Sequence, residues 1–310
     1  MMKVLICDSV APVTVDTLRQ AGLEVDYRPD ITAEELLRDA GQYEAMVVRS
    51  RTKVPKEVID AGKNLKVIVR GGVGVDNIDV AHAKSKGVDV RNTPKASSNS
   101  VAELALGYML ALARKIPQAT MSMAAGEWKK KQLGGTEIAG KTLGLIGFGN
   151  IGRMLGEKAA ALGMNVIFFR RTPTEVSFAR QVSLDQLLAE SDYISLHVPR
   201  TAETANILNA ETLSKVKDGV FIVQCGRGGT IDEDALYDAL ASGKVAGAAL
   251  DVFADEKVNP GNPRLFELRD KSGFLKVIGS PHVGASTTEG QERVGGEVAD
   301  ILIEYHRRNA

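Results

Sequence analysis

The chain reads as α/β, two doubly wound parallel-sheet domains with helices on both faces of each sheet, and three observations predict this. Short runs rich in Val, Ile and Leu alternate with helical patterns almost throughout, as parallel strands buried on both faces require. One run leads into a glycine-rich turn, Gly147-Phe148-Gly149-Asn150-Ile151-Gly152, that opens a helix. At 310 residues and 44% hydrophobic composition, two moderate cores are a better expectation than one large one.

The elements follow in order. Val4 to Cys7 is the first strand; it starts straight after Met1-Met2-Lys3 and meets Asp8, too early an interruption for a signal peptide. Strands at Ala45 to Val48 and Lys66 to Val69 continue the first domain. The polar, turn-rich segment Asn92-Thr93-Pro94-Lys95-Ala96-Ser97-Ser98-Asn99-Ser100 marks a domain crossing and feeds one long helical pattern from Val101 to Met123. Thr142 to Ile146, Asn165 to Phe169, Tyr193 to Leu196, Val220 to Val223 and Ala246 to Val252 are the strands of the second domain. A second crossing falls at Pro281-His282-Val283-Gly284-Ala285-Ser286-Thr287, after which Glu289 to Arg307 forms a final helix returning to the first domain. The expected division is residues 1–95 with 286–310, a flavodoxin-like substrate domain, and residues 96–285, a Rossmann cofactor domain, with a cleft between them.

Composition narrows the function. Lys and Arg balance Asp and Glu at 39 each, so the chain lacks the basic surplus that draws proteins to nucleic acid or anionic membranes. Trp128-Lys129-Lys130-Lys131 is a short basic run with one aromatic and reads as a solvated arm. No apolar run approaches the roughly 20 residues of a membrane span. Cys7 and Cys225 each end an apolar run, which suits buried thiols better than a disulfide or a metal site. A cytoplasmic protein that binds a small molecule, without metal, nucleic acid or membrane, is expected.

The glycine turn sits where a dinucleotide-binding fingerprint must: strand before, helix after, the pyrophosphate on the helix N-terminus. After the next strand, about 20 residues on, an NAD site places an acid for the ribose hydroxyls. Here Arg170, Arg171 and Thr172 occupy that place. Guanidinium groups there favour the 2′-phosphate of NADP; the other reading, one arginine on the adenine face and one in solvent, leaves NAD usable. His197, at the end of the strand Tyr193 to Leu196 and followed by Val198 and Pro199, falls at the edge of the same site, whereas His82 and His306 lie in polar helical surroundings.

Oxidation or reduction at a hydroxyl-bearing carbon next to a carboxylate needs a proton-exchanging base, a group that tunes it, and a cation for the carboxylate. Three segments offer them: Cys225-Gly226-Arg227-Gly228-Gly229, Ala249-Leu250-Asp251-Val252-Phe253-Ala254-Asp255-Glu256, and Ser280-Pro281-His282-Val283-Gly284. Arg227 and Glu256 each follow a strand, and so sit at the carboxyl ends where ligands bind in such folds. Taken singly, each is an ordinary loop cation, solvated carboxylate or capping histidine; together and in this order they point to one site.

These segments, the glycine turn, Arg70-Gly71-Gly72-Val73-Gly74-Val75-Asp76-Asn77 and Leu112-Ala113-Arg114-Lys115-Ile116-Pro117 resemble the D-isomer-specific 2-hydroxyacid dehydrogenases, and within them the phosphoglycerate dehydrogenase branch. The resemblance implies hydride exchange at C2 of a small D-2-hydroxy acid. It makes Arg227 the carboxylate clamp, His282 the acid/base and Glu256 its partner. It places Asp251 by the nicotinamide carboxamide, with Cys225, Gly226 and Gly284 beside the cofactor, and Gly72, Val73 and Gly74 against the substrate. The helix and basic arm around Trp128 would pack on a second subunit, making a homodimer. Arg49-Ser50-Arg51 follows a strand and suits a phosphate monoester, although two solvated arginines in a loop would look the same without the family context.

Two departures bear on the substrate. Lys257 stands where the family has proline, in a lengthened stretch that leaves Glu256 rather than Asp255 as the choice of partner. Arg170 suits an NADP-dependent hydroxypyruvate or glyoxylate reductase as well as a phosphoglycerate dehydrogenase. The chain stops at Ala310, so a serine-sensing regulatory domain is not expected. Dinucleotide-sensing corepressors of the same fold are the rival class, and formate dehydrogenases, which pair their histidine with glutamine, are disfavoured by Glu256.

Overall fold

The computed structural model describes residues 1–256 and 262–309; Lys257 lies outside them. The chain divides into two compact units, residues 1–98 with 285–310, and residues 99–284. No helix of the described residues is long and apolar enough to cross a membrane.

The first unit is built on β1 (Lys3–Ile6), β2 (Glu24–Tyr27), β3 (Ala45–Val48), β4 (Val67–Arg70) and β5 (Asp89–Asn92), ordered β2-β1-β3-β4-β5. Every pairing is parallel. This is the flavodoxin-like order. Alternation along the strands sends Leu5, Met46 and Val48 to one apolar layer and Val4, Ile6, Ala45 and Val47 to the other. Val294, Val298 and Leu302 of the terminal helix Thr288–Asn309 complete the second layer, which is how the end of the chain returns to its beginning.

The second unit holds β6 (Thr142–Ile146), β7 (Asn165–Phe169), β8 (Arg180–Gln181), β9 (Tyr193–Leu196), β10 (Val220–Gln224), β11 (Val245–Leu250) and β12 (Val277–Gly279). Their order, β12-β11-β10-β9-β6-β7-β8, is the dinucleotide-binding arrangement with one strand added. The strand order reverses between β6 and β9, so the crevice that such sheets use for ligands opens at the carboxyl end of β6, where the glycine turn begins. Leu143 and Leu145 face a core closed by helix Ser98–Arg114, while Ile146 and Ile222 face the other.

The long helix expected from Val101 to Met123 is two helices, Ser98–Arg114 and Ile116–Ala124. Pro117 has no N–H for the carbonyl of Ala113, one turn back, and its ring would clash with it. Lys115 accordingly takes a left-handed backbone (φ 52°), and the Ala113 carbonyl accepts instead from the Thr136 amide at 2.9 Å.

Candidate active site

The glycine turn is shaped by close approach. Gly147 adopts φ +98°, where a side chain is strained, and a Cβ there would lie 2.7 Å from the His197 carbonyl oxygen. On Gly152 a Cβ would lie 2.3 Å from the Gly147 oxygen, so helix Asn150–Ala161 can start this close to the strand only with glycine. Gly149, by contrast, meets nothing within 4 Å and caps the helix without a side chain, leaving the backbone open to a diphosphate. The three glycines thus divide into tight turn, open approach and close packing, and the turn fits a dinucleotide on its own geometry.

A cavity of about 470 Å³ runs from this turn along Arg170, Arg171 and Thr172 to His197, Val198 and Pro199. Arg170 donates from Nη1 to the Phe148 carbonyl at 3.3 Å, and Gln181 holds the Arg170 carbonyl at 2.8 Å. Arg171 is largely exposed, 4.0 Å from Glu203, a carboxylate on the same cavity that the sequence reading passed over because it follows no strand. His197 shares a hydrogen bond with Ser195 at 2.8 Å through Nε2, and its buried Nδ1 meets no hydrogen-bonding atom. Burial pushes its pKa down to about 4, so the ring is neutral beside the turn. Ile151 packs on the apolar layer around Leu145, as does buried Cys225, whose thiol pKa burial pushes far up. Among the described residues no group of three metal-ligating side chains occurs.

At the other end of the same sheet, His282 Nδ1 lies 3.0 Å from Glu256 Oε2, both groups partly exposed. The pair lines a cavity of about 450 Å³ with Phe253, Phe266, Ser280 and Pro281. His282 has φ 55°, uncommon for a residue with a side chain, and is held there by its neighbours. Its amide donates to the Asp251 carbonyl at 2.8 Å. The buried Asp251 carboxylate accepts from the Val283 and Gly284 amides at 2.8 Å each and from the Ser280 hydroxyl, which Tyr108 also engages. Asp251, expected to serve the cofactor, therefore spends its oxygens on the turn that carries His282. Tyr108 stands in no motif, and Ser280, although it heads the His282 segment, carries no charge that would single it out in the sequence.

Arg227 follows β10 on a loop held by its own Nη1, which donates to the Gly226 carbonyl at 2.9 Å, and by neutral neighbours. Gln224, buried at the strand end, accepts from the Gly226 amide and donates to the Arg227 carbonyl, both at 3.0 Å, and Thr230 donates to that carbonyl at 2.9 Å. A Cβ on Gly228 would fall 1.7 Å from the Phe253 oxygen, so the Arg227 loop lies directly on the loop that bears Glu256. The motif Gly226-Arg227-Gly228-Gly229 thus owes its third residue to a neighbour remote in sequence.

In the first unit, the two arginines after β3 differ. Arg51 donates to the carbonyls of Cys7 and Pro29 at 2.5 Å and Ile31 at 3.1 Å, with Nε 3.1 Å from Asp8. It is a strut of its own loop. Asp8 also accepts from the Thr52 hydroxyl at 2.7 Å, and Asn77 holds the Arg49 and Thr52 carbonyls at 2.7 and 2.6 Å. Arg49 reaches Gln291 and, at 3.4 Å, the Ser9 carbonyl; burial pulls its pKa below the ordinary guanidinium value. Ser50 is exposed. Gly72, at φ +141°, is pinned to β5 by Thr93, and a Cβ there would meet Arg70; Val73 and Gly74 continue the turn half-buried.

Comparison with known proteins identifies the family. Residues 106–284 match the NAD-binding domain of D-isomer-specific 2-hydroxyacid dehydrogenases. The chain is 52% identical over 272 residues to a hydroxypyruvate reductase of Thermotoga maritima, covering 87% of each. It is 45% identical over 306 residues to a D-3-phosphoglycerate dehydrogenase of Archaeoglobus fulgidus, covering 97% of this chain but 57% of that protein, so it spans little more than half that relative's length. The crystal structure of a glyoxylate reductase from Paecilomyes thermophila superposes with a TM-score of 0.85 at 34% identity, over 97% of this chain and 94% of that one.

Proposed function

The chain belongs to the D-isomer-specific 2-hydroxyacid dehydrogenases, oxidoreductases that use a nicotinamide dinucleotide, and we propose that His282, Glu256 and Arg227 carry out its reaction on a small D-2-hydroxy acid. Residues of the glycine turn, Gly147 to Gly152, would hold the nicotinamide dinucleotide, which would supply or accept the hydride at C2. Glu256 engages Nδ1 of His282, which leaves Nε2 to give a proton to the C2 oxygen in reduction or take it in oxidation. The charge that His282 gains in oxidation is stabilised by the carboxylate beside it. Arg227 pairs with the substrate carboxylate and polarises the C2 oxygen. The His282–Glu256 contact of 3.0 Å is the observation that carries this reading. His282→Asn should lower kcat by about 100- to 10,000-fold with cofactor affinity unchanged; a variant with wild-type kcat would end the assignment.

D-3-phosphoglycerate is the first substrate proposed, with Arg49 as the contact for its phosphate. Reduction of hydroxypyruvate is the second reading, favoured because Arg51 is already engaged by main-chain carbonyls and leaves fewer donors for a phosphate. A turnover panel of 3-phosphoglycerate, hydroxypyruvate, glyoxylate and pyruvate with both cofactors separates them: D-glycerate oxidised as well as 3-phosphoglycerate, or Arg49→Ala with unchanged KM, removes the phosphate reading. NADP is the proposed cofactor because Arg170 and Arg171 line the far end of the cavity. A higher kcat/KM with NADH than with NADPH would overturn that preference.

A homodimer through helix Ile116–Ala124 and the following arm is proposed because Ile116, Met121, Met123 and Trp128 are between 51% and 79% exposed there, an apolar set that water does not favour. Sedimentation of a Trp128→Ser variant as a monomer, against a dimeric parent, is the expected result. Two buried free thiols suit the reducing cytoplasm, the proposed location.

A further inference from the structure

We infer that Glu233 is a positioning residue for the reaction, holding Glu256 in place for His282; the inference rests on the roles just proposed for that pair. Helix Glu233–Ser242 does not need the Glu233 carboxylate for its own start, because the side chain of Asp232 is the cap, accepting from the amides of Asp234 and Ala235 at 3.1 Å each. Glu233 instead turns away from the helix. One oxygen accepts from the Ala254 amide at 2.6 Å and the other from the side-chain amide of Asn262 at 2.6 Å. The two anchor points lie on either side of Glu256 in the chain, and bonds to a carboxylate are the stronger kind.

The loop is held on a third side by the Gly228–Phe253 approach, which joins it to the Arg227 loop. Glu256 Oε1 is itself 3.4 Å from the Phe253 amide, so the carboxylate that faces His282 is referenced to a turn whose next amide, Ala254, is gripped by Glu233. Glu233 thus ties the N-terminus of helix Glu233–Ser242 to Ala254 and Asn262, and the Gly228–Phe253 approach ties the Arg227 loop to the same Phe253-Ala254 turn. Release of that grip lets Glu256 drift, and a displacement of about 1 Å in a catalytic group costs on the order of 100-fold. Glu233 touches no reacting atom; it acts through Glu256.

The test measures reduction of hydroxypyruvate by NADPH and NADH together with cofactor affinity and thermal midpoint. Glu233→Ala should lower kcat on the order of 100-fold with cofactor affinity unchanged. Glu233→Gln should recover most of it, since its carbonyl still accepts from Ala254 and the Asn262 amide can rotate to accept from the new NH₂. Combined with Glu256→Gln, Glu233→Ala should add nothing beyond the loss from Glu256→Gln alone, because both act on one contact. Asp234→Ala, which removes only the exposed ion pair with Arg264, should leave kcat as it was. Multiplicative losses in the double variant, no recovery with glutamine, or wild-type kcat in Glu233→Ala would each overturn the inference. Should Glu233→Ala not fold, Asn262→Gly, which keeps the left-handed backbone at that position, decides: a kcat loss of about 10-fold is expected and an unchanged kcat overturns it. His282→Asn is run alongside. Wild-type kcat in that variant sinks the site reading and this inference together, whereas its loss beside a fully active Glu233→Ala sinks the inference alone.

Discussion

The loop after β3 and the loop after β10 occupy the same kind of place, the carboxyl end of a central parallel strand, yet they draw on charge and on neutral neighbours in different proportions. After β3, Arg51 is consumed by three main-chain carbonyls and a buried Asp8. After β10, Arg227 Nη1 donates to one carbonyl of its own loop, that of Gly226 at 2.9 Å, and neutral Gln224 and Thr230 hold the rest of the turn through the backbone. A charge that builds a loop has few donors left for a ligand. A loop braced mainly by uncharged neighbours depends less on its arginine for its shape.

The sharpest way to break this contrast is to exchange arginine for a weaker donor set in each loop. Arg227→Lys keeps the charge but loses the fork, and kcat/KM should fall by about 100- to 1,000-fold, the cost of losing a principal stabiliser of charge in the transition state, with little change in thermal midpoint. A pH titration of stability gives the next effect. Burial holds His197 at about 4, below its unfolded value near 6.5, so between these limits the unfolded chain binds the extra proton. Stability should therefore fall as the pH drops from about 6.5 to about 4, by about 3 kcal/mol in all, and His197→Asn should flatten that slope. Denaturant midpoints across that range check it.

Asp251→Asn should cost about 1–3 kcal/mol, because an amide cannot accept at both positions where the Ser280, Val283 and Gly284 donors converge. It should lower kcat as well, since that turn carries His282. Asp8→Asn should cost stability of the same order without touching kcat on glyoxylate, which has no phosphate to place. Arg51→Lys is the mildest change, about 1 kcal/mol in stability with kcat/KM near wild type. A large kinetic defect in Arg51→Lys would mean that the two loops are alike after all.

What the sequence made legible follows from where burial is complete. The eight strands read from apolar runs are the interior ones; β2, β5, β8 and β12 went unread, and these four are the edges of the two sheets. An edge strand is covered on fewer sides and carries residues such as Glu24, Asp26, Arg91 and Arg180, so its pattern resembles a loop. The break at Lys115 was written in Pro117 but hidden by unbroken apolar periodicity around it. Arg227 and Glu256 stood out because each follows a strand legible as an apolar run, and His282 because of the segment Ser280-Pro281-His282-Val283-Gly284 around it. Glu233, Tyr108, Ser280 and the second role of Gly228 did not, because their meaning lies in contacts with residues far along the chain. Asp8 likewise explains Arg51 only once β1 and β3 lie side by side.

Hydride transfer itself offers the most direct test of the central claim. Hydroxypyruvate or glyoxylate is reduced with the reduced nicotinamide dinucleotide carrying deuterium at both C4 positions, using wild type and His282→Asn, and the product is read by mass spectrometry and, for hydroxypyruvate, by chiral separation. Deuterium at C2 of a D-configured hydroxy acid, with its formation slowed by about 100-fold or more in the variant, is the predicted result. Product without deuterium, an L-configured product, or a variant as fast as its parent would contradict the account.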